Sequence, residues 1–198
     1  MALLRSRLTS PGIRGGRVAA RLLLGAALSF ALLPAFASST ENELKAAFIY
    51  QIAKFVDWPP ARGSMRLCVV GNSPFGAALE TIRGKPLNEQ KLEVAHLDSG
   101  ADLRECAVLF IAASAERHLE RIVALSRGGG MLTMGDTEGF AQRGVVVNFY
   151  LENGKVRFEI NLDVARQTGL KISSRLLSLA RIVDSPSGAS SSSYDKLP

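Results

Sequence analysis

The hydrophobic pattern of the chain is strongest over Thr40–Pro60, where it predicts a long helix. Thr40 and Glu43 fit a capping box at its start, and Pro59 followed by Pro60 ends it. Between these signals apolar residues recur at helical spacing over a wide arc: Leu44, Ala46, Ala47, Phe48, Ile49, Ile52, Ala53, Phe55 and Val56. A helix this apolar needs cover on more than one side, so it is either a central core helix or lends one face to a partner.

Short apolar runs downstream predict the strands of a sheet: Arg66–Val70, Lys91–Ala95, Cys106–Ala112 and Met131–Met134. Two helices are expected between them, Phe75–Ile82 after the cap Ser73-Pro74, and Ala115–Ser126 after the cap Ser114. The almost wholly apolar third run is typical of a strand that is buried on both faces of a parallel sheet. The β-α-β-β-α-β order therefore predicts a largely parallel sheet with helices on both faces.

The segment Val145–Ile160 has the alternation of a β-hairpin, with Asn153-Gly154 as its two-residue turn. This turn predicts that Phe149 faces Phe158 and that Val147 faces Ile160, so that the aliphatic and Phe side chains, Val146 excepted, share one face. The opposite face carries a polar row, which is Asn148, Tyr150, Arg157 and Glu159. We interpret this row as a solvated face, with a ligand-binding role as the alternative.

The C-terminal part predicts two more helices and a tail. Asn161 caps a short helix that ends at Gly169, and Ser173 caps the last helix, Ser174–Val183. The Ser-, Gly- and Pro-rich residues 185–198 lack a core and are expected to be disordered. The predicted fold of residues 38–184 is thus one α/β domain, with a mixed, largely parallel sheet, a C-terminal antiparallel hairpin and two terminal helices.

A basic leader accounts for most of the charge of the chain. The 198 residues include 24 Lys and Arg and 18 Asp and Glu, a formal net charge of +6. Five arginines lie before residue 38, and without them the net charge falls to +1, which leaves no basic patch that would bind nucleic acid. Residues 1–37 have the basic start, the apolar run Leu22–Phe36 and the Ala35-Phe36-Ala37 site of a secretory signal. We expect cleavage after Ala37 and export to the periplasm; an uncleaved membrane anchor is the alternative, although the run is short for the roughly 20 residues of a span.

Export changes the interpretation of the two cysteines, Cys68 and Cys106. In an oxidising compartment a lone pair is a disulfide candidate, with two buried free thiols as the alternative. Together with His96 and His118 they lack the ligand spacing of a zinc site, and no hydrolase or metalloprotease motif is present. A phosphate loop is also disfavoured, because Ala77 stands where its lysine is required. We therefore predict no catalytic residue, no metal and no cofactor.

The remaining candidates are binding residues. The apolar face of the first helix makes Phe48, Ile52, Phe55 and Trp58 candidates for a partner or dimer interface, because interfaces favour aromatic anchors; the alternative is that they only close the core. A small ligand could use the helix start at Ser73, through its free amides, or the polar row of the hairpin. Of three functional classes we favour a protein that acts by binding another protein. A ligand receptor is the second class and an envelope hydrolase the third.

Several segments resemble, in order and spacing, those of the YfiR-like periplasmic proteins. They span residues 43–183 and are Lys45–Tyr50 with Phe55 and Trp58-Pro59, Leu67–Gly71, Cys106–Phe110, Gly139-Phe140, Phe158–Leu162, and Gly169–Ser174 through Leu179-Ala180. In this resemblance Cys68 and Cys106 match the family's disulfide. A second cysteine pair of the family, toward the C-terminal part, is missing here around Gly139–Asn148.

The resemblance implies a regulator that acts by contact with another protein. Such a repressor binds the periplasmic sensor part of an inner-membrane diguanylate cyclase, YfiN, and so lowers cyclic-di-GMP output and biofilm formation. A homodimer is also implied, whereas redox switching through the missing cysteine pair is not. The alternative function is a periplasmic small-ligand sensor that acts on a different membrane partner, such as a sensor kinase.

Overall fold

A computed structural model describes residues 34–59, 64–127 and 129–185, with side chains from residue 40 onward. From Ser39 onward the described residues form one compact unit. Most of the predicted signal peptide and the predicted tail after residue 185 lie outside these ranges, so both stay predictions. Within the described ranges, no helix combines the length and the apolarity that crossing a bilayer requires.

Helix α1 spans Pro34–Lys54, so it begins and ends earlier than the sequence predicts. Thr40 lies inside the helix and is not its N-cap, because the helical backbone continues back through the expected cleavage site. At the other end, the amide of Phe55 donates to the carbonyl of Ile52 at 2.9 Å and closes the last turn. Val56–Asp57 then forms strand β1, which pairs with β10, Lys171–Ile172. This distant pairing holds Val56 in extended backbone and ends the helix before Pro59.

The strands of the central sheet are β2 (Arg66–Val70), β5 (Glu93–Leu97), β6 (Val108–Ile111), β7 (Leu132–Gly135), β8 (Val147–Glu152), β9 (Lys155–Asn161) and β11 (Arg181–Val183). Their spatial order is β11-β9-β8-β7-β6-β2-β5. All neighbours are parallel except β8 and β9, which form the hairpin. A separate ribbon joins β3 (Pro86–Leu87) to β4 (Gln90–Lys91). The predicted mixed, largely parallel sheet is confirmed.

Alternate residues of the strands point into two cores, one on each face of the sheet. Leu67 and Val69 of β2 belong to the core that contains the buried residues of α1. Cys68 and Val70 belong to the other, which contains Leu119, Ile122 and Val123 of α2, Leu119–Ser126. Helices therefore cover both faces, as predicted.

Two local predictions before α2 are wrong. Phe75–Ile82 is not an α-helix, and only a short 3₁₀ helix forms there, Ala78–Thr81. Gly76 precedes it with a φ of +50°, a left-handed turn that a continuous helix does not contain. Ser114 is not a helix cap, because it lies inside a 3₁₀ helix, Ala113–His118, that leads into α2. Its hydroxyl instead accepts from the amide of Asn72 at 2.7 Å and ties the loop after β2 to this turn.

The C-terminal elements are only partly as predicted. Helices α3 (Leu162–Gln167) and α4 (Ser174–Leu177) are capped by Asn161 and Ser173, whose side chains accept from backbone amides of the first turns. The predicted extension of the last helix to Val183 is wrong. The chain leaves the helix after Leu177, and Arg181–Val183 pairs with β9 as β11. A long-range strand pairing thus overrides an apolar spacing that is locally helical.

The predicted disulfide between Cys68 and Cys106 is present, and both side chains are buried. It joins β2 to the segment that enters β6, with the two Cα atoms 5.7 Å apart. Because it closes a loop with a sequence separation of 38, it restricts the unfolded chain substantially.

Replacing both cysteines, Cys68→Ala with Cys106→Ala, is expected to lower the free energy of unfolding by about 4 kcal/mol through loss of this restriction. Urea unfolding of the oxidised protein and of the double variant measures the difference. Reduction of the unaltered protein is the control and should cause a similar loss. Unchanged unfolding midpoints in both cases would contradict a stabilising bridge.

Candidate functional site

A cleft of about 630 Å³ lies between the hairpin, α1 and the loop that follows β7. The loop leaves β7 at Gly135 and returns to β8 at Val147, and these strand ends lie side by side because Gly135 pairs with Asn148. The cleft is lined by Glu41, Lys45, Asp136, Glu138, Gly139, Gln142, Asn148, Phe149, Tyr150, Leu151, Glu159 and Arg181. Most of these side chains are polar, unlike the two cores of the sheet.

The register of the hairpin decides which of its residues reach the cleft. Phe149 pairs with Phe158 and Asn148 with Glu159, which is the predicted register. The rings of Phe149 and Phe158 pack against Phe48 of α1, with centroid distances of 6.5 and 6.1 Å. Asn148 and Glu159 alternate to the opposite face, where they are 1% and 2% exposed. The inner half of the polar row is therefore buried, which corrects its interpretation as a solvated face.

Arg181 of β11 is the counter-ion of the buried Glu159. Its Nε lies 3.1 Å from Oε2 of Glu159, and its guanidinium lies 4.1 Å from the ring centroid of Tyr150. The hydrogen bond to Glu159 raises the pKa of Arg181 further above its ordinary value. Because Arg181 stays protonated, Glu159 has a permanent positive partner at this end of the cleft.

Lys45 of α1 is the second cation of the cleft and, unlike Arg181, it is buried. Its Nζ lies 2.7 Å from Oε1 of Glu41 and 2.9 Å from Oδ2 of Asp136, and its side chain is 9% exposed. Burial by itself would lower the pKa of Lys45, but the hydrogen bonds and negative charges of these two carboxylates outweigh it and raise the pKa. The ion pairs therefore fasten α1 to the loop after β7.

Two amide oxygens in the lining are buried and have no hydrogen-bond partner among the described residues. They are Oδ1 of Asn148 and Oε1 of Gln142. The other end of the Asn148 amide is used, since its Nδ2 donates to Oε1 of Glu159 at 3.3 Å. Both oxygens are shielded from solvent, so they lie behind the surface of the cleft and not on it.

The structure gathers three of the five predicted ligand residues into this cleft: Asn148, Tyr150 and Glu159. Arg157 is outside the lining and exposed, with its Nε 3.7 Å from Oε2 of Glu152. Ser73 is also outside it, and its hydroxyl accepts from the amide of Phe75 at 3.3 Å. No α-helix begins at Ser73, so the helix start on which a ligand site was expected does not form, and a ligand role for Ser73 stays a prediction.

The lining residues that sequence reasoning missed include Lys45, Asp136, Gln142 and Arg181. Lys45 did leave a signal, since it is a charged residue near the start of the apolar stretch of α1. The other three lie in a loop and in a strand that periodicity does not assign. Within the described part of the chain, no group of three or more His, Cys, Asp or Glu residues is placed to hold a metal ion.

The predicted interface residues divide into two kinds. Ile52 is 1% exposed and belongs to the core, so it has no surface to offer a partner. Phe48, Phe55 and Trp58 are half-buried and pack against the same core, which leaves each of them some accessible surface. An interface role for these three stays a prediction.

Replacing Lys45 by methionine (Lys45→Met) is expected to lower the free energy of unfolding by about 2 kcal/mol, because Asp136 loses its buried cation. Lys91→Met is the matched control, since Lys91 is exposed on β4 and outside the cleft. Urea unfolding at neutral pH compares the two variants with the unaltered chain. Equal losses for both variants would contradict a structural role for the Lys45 ion pairs.

The raised pKa of Lys45 gives these ion pairs a pH signature. Their stabilisation is complete below the ordinary lysine pKa of about 10.4 and is lost as the pH rises through the higher pKa of the folded state. The stability difference between the unaltered chain and Lys45→Met should therefore be constant near neutral pH and shrink in strong alkali. A difference that grows in alkali would refute this assignment.

Comparison with known proteins agrees with the observed fold. A solved structure of a conserved domain protein from Vibrio cholerae O1 biovar El Tor has a TM-score of 0.51 and 16% identity, over 71% of this chain and 59% of that one. The ABC domain in complex with L-Trp from Streptococcus pneumonia has a TM-score of 0.49 and 9% identity, over 72% of this chain and 60% of that one. The chain thus spans less than two thirds of either protein, and the first likeness concerns the fold alone.

The family comparison covers most of the chain and includes every lining residue of the cleft except Glu41. The YfiR/HmsC-like family model matches residues 42–181, from Asn42 in α1 to Arg181 at the start of β11. Since the match extends over more than half of the sequence, the chain belongs to the YfiR/HmsC-like family.

Proposed function

We propose that this protein is a periplasmic regulator that binds and represses the periplasmic sensor part of an inner-membrane diguanylate cyclase. By doing so it lowers cyclic-di-GMP output and biofilm formation. The observation that carries the proposal is membership of the YfiR/HmsC-like family over residues 42–181. The secretory pattern of residues 1–37 supports it, because a protein that meets a periplasmic sensor domain must be exported.

An apolar surface near the open edge of the sheet supports contact with another protein. β11 is an edge strand of the central sheet. Leu179 and Ile182, just before and within this strand, are 69% and 46% exposed. Large apolar side chains that are exposed close together commonly mark an interaction site.

The end of α1 adds an aromatic side chain close to this edge. The carbonyl of Phe55 accepts from the amide of Ser173 at 3.0 Å, and the Phe55 ring lies 5.7 Å from the guanidinium of Arg175 in α4. Phe55 therefore lies beside the segment that leads into β11. We call Phe55, Leu177, Leu179 and Ile182 the edge surface, and we propose it as the contact for the cyclase.

Co-expression of the chain with the cyclase should lower cellular cyclic-di-GMP. The double variant Leu179→Asp with Ile182→Asp should weaken binding to the isolated sensor domain roughly thirtyfold, because losing an interface hot spot costs about 2 kcal/mol. Leu125→Asp is the matched control, since Leu125 is 55% exposed on α2, which packs against the other core. Calorimetry with the sensor domain and cyclic-di-GMP quantification measure the two effects.

Two results would refute the proposal. One is that a cross-linked pull-down from inner membranes recovers no diguanylate cyclase. The other, which concerns the edge surface alone, is that the double variant represses as well as the Leu125→Asp control. Light scattering of the purified protein tests the expected homodimer separately, and the same variants then tell whether the edge surface serves the dimer or the cyclase.

A second candidate function is favoured by the cleft between the hairpin and α1. A cleft of this volume lies in the size range of small-molecule sites, so the protein would sense a small ligand and act on a different membrane partner, such as a sensor kinase. Recovery of a sensor kinase in the same pull-down would favour this alternative.

A further inference from the structure

The two outermost strands of the central sheet, β5 and β11, differ in how their outer edges are covered. The amide of Glu93 in β5 donates to the residue before β2 at 3.0 Å, so the neighbouring backbones of Leu92 and Val94 face outward. Leu92 is bonded through its amide and its carbonyl to the two residues that precede β3, at 2.9 and 2.8 Å. Nη1 of Arg83 donates to the carbonyl of Val94 at 3.0 Å. This part of the edge is therefore closed to another strand.

The backbone of β11 has no such cover at Ile182. The amide of Asn161 in β9 donates to the residue before β8 at 2.9 Å, so Asn161 faces β8 and its neighbour Ile160 faces β11. Ile160 is in register with Ile182. In a parallel ladder the bonds of Ile160 run to the residues on either side of its partner, which are Arg181 and Val183. Both backbone groups of Ile182 therefore point away from the sheet, and no described residue bonds to them.

A second copy of the same strand has the groups that this edge lacks. When two β11 strands run antiparallel with their Ile182 residues opposite each other, the amide of each Ile182 donates to the carbonyl of the other. Two residues along the strand, the amide of Asp184 meets the carbonyl of Ala180 in the other copy. The amide of Ala180 is already bonded to the carbonyl of Leu177 at 3.2 Å, so it is not left unpaired. The partial charges of this backbone edge are therefore complementary to those of its own copy.

The side chains of β11 are compatible with this pairing. Ile182 is 46% exposed and would meet its own copy as an apolar pair. Arg181 would lie opposite Val183, and Asp184 opposite an alanine, so no like charges oppose each other. The guanidinium of Arg181 also leaves the edge free, because it is held 4.1 Å from the ring centroid of Tyr150 on the cleft side of the sheet.

We propose that two copies of this chain associate through β11, antiparallel and about a two-fold axis at Ile182, so that their central sheets join edge to edge. A two-fold axis closes the assembly, because each open β11 edge is covered by the other. The edge surfaces of the two copies then adjoin at the axis, and Phe55, Leu177 and Leu179 remain available for the proposed cyclase contact. The proposal assigns an interface to the expected homodimer and does not depend on that contact.

Amide hydrogen exchange, followed by nuclear magnetic resonance on the purified protein at several concentrations, tests the pairing without any substitution. The exchange of the Ile182 amide should slow at least tenfold as the dimer seen by light scattering forms. The amide of Val183 is the internal control, because it is bonded to β9 in the monomer and in the dimer alike. A protein that stays monomeric would overturn the proposal, and so would a dimer in which the Ile182 amide exchanges as fast as in the monomer.

Proline variants remove the outward amides and leave those that pair with β9. Ile182→Pro should raise the dissociation constant of the dimer at least tenfold, because proline has no N–H and is tolerated on an edge strand. Ile182→Val is the matched control, since it keeps the amide and the β-branched shape. If Ile182→Pro does not fold, Asp184→Pro removes the other outward amide, just after the last residue that pairs with β9.

A folded proline variant that dimerises as well as Ile182→Val would show that β11 is not the interface. Both measurements use the purified chain alone. Failure of this proposal is therefore distinct from failure of the proposed repression, which is measured with the cyclase present.

Discussion

The structure depends on the two-residue alternation of the β8–β9 hairpin. One set of side chains, which includes Phe149 and Phe158, packs beneath α1 and completes a core. The alternate set, which includes Asn148 and Glu159, faces the other way and supplies the polar side chains that the hairpin adds to the cleft, which Phe149 and Leu151 also line. A register shift of one residue would exchange the two sets, burying charges in the core and exposing aromatic rings. The Asn153-Gly154 turn is therefore the local feature on which both the core and the cleft rest.

The cleft is stabilised by two ion pairs that come from opposite directions. Lys45 of α1 forms an ion pair with Asp136 of the loop after β7, and Arg181 of β11 forms one with Glu159. Each pair links an element near one end of the domain to the hairpin region. Because buried charges are stable only when they are paired, the placement of α1 and of β11 is coupled to the polarity of the cleft.

Sequence patterns predicted those features that depend on neighbours close along the chain. The hairpin register, the caps Asn161 and Ser173, and the buried strands of the parallel sheet all follow from short-range spacing. The apolar first helix was also identified, although not its bounds. The disulfide required one assumption in addition, that the chain is exported.

Several failures share one cause, which is pairing between distant segments. The last helix was predicted to be too long because its apolar spacing is helical. In the structure Arg181–Val183 pairs with β9 as a strand. The first helix ends early because β1 pairs with β10. Only some of the cleft residues were predicted, for the same reason. Lys45 lies on α1 and Arg181 on β11, and no local sequence pattern indicates that these two elements lie near the hairpin. Membership of the YfiR/HmsC-like family supports the proposed regulatory role but does not identify these residues.

The central claim is that the hairpin register places Phe149 and Phe158 in a core and Asn148 and Glu159 on the opposite, polar face. Cross-strand nuclear Overhauser effects between the backbones of β8 and β9 test it most directly. The account predicts contacts that pair Phe149 with Phe158 and Asn148 with Glu159. Contacts that pair Phe149 with Arg157 or with Glu159 would contradict it, because the polar row would then lie in the core.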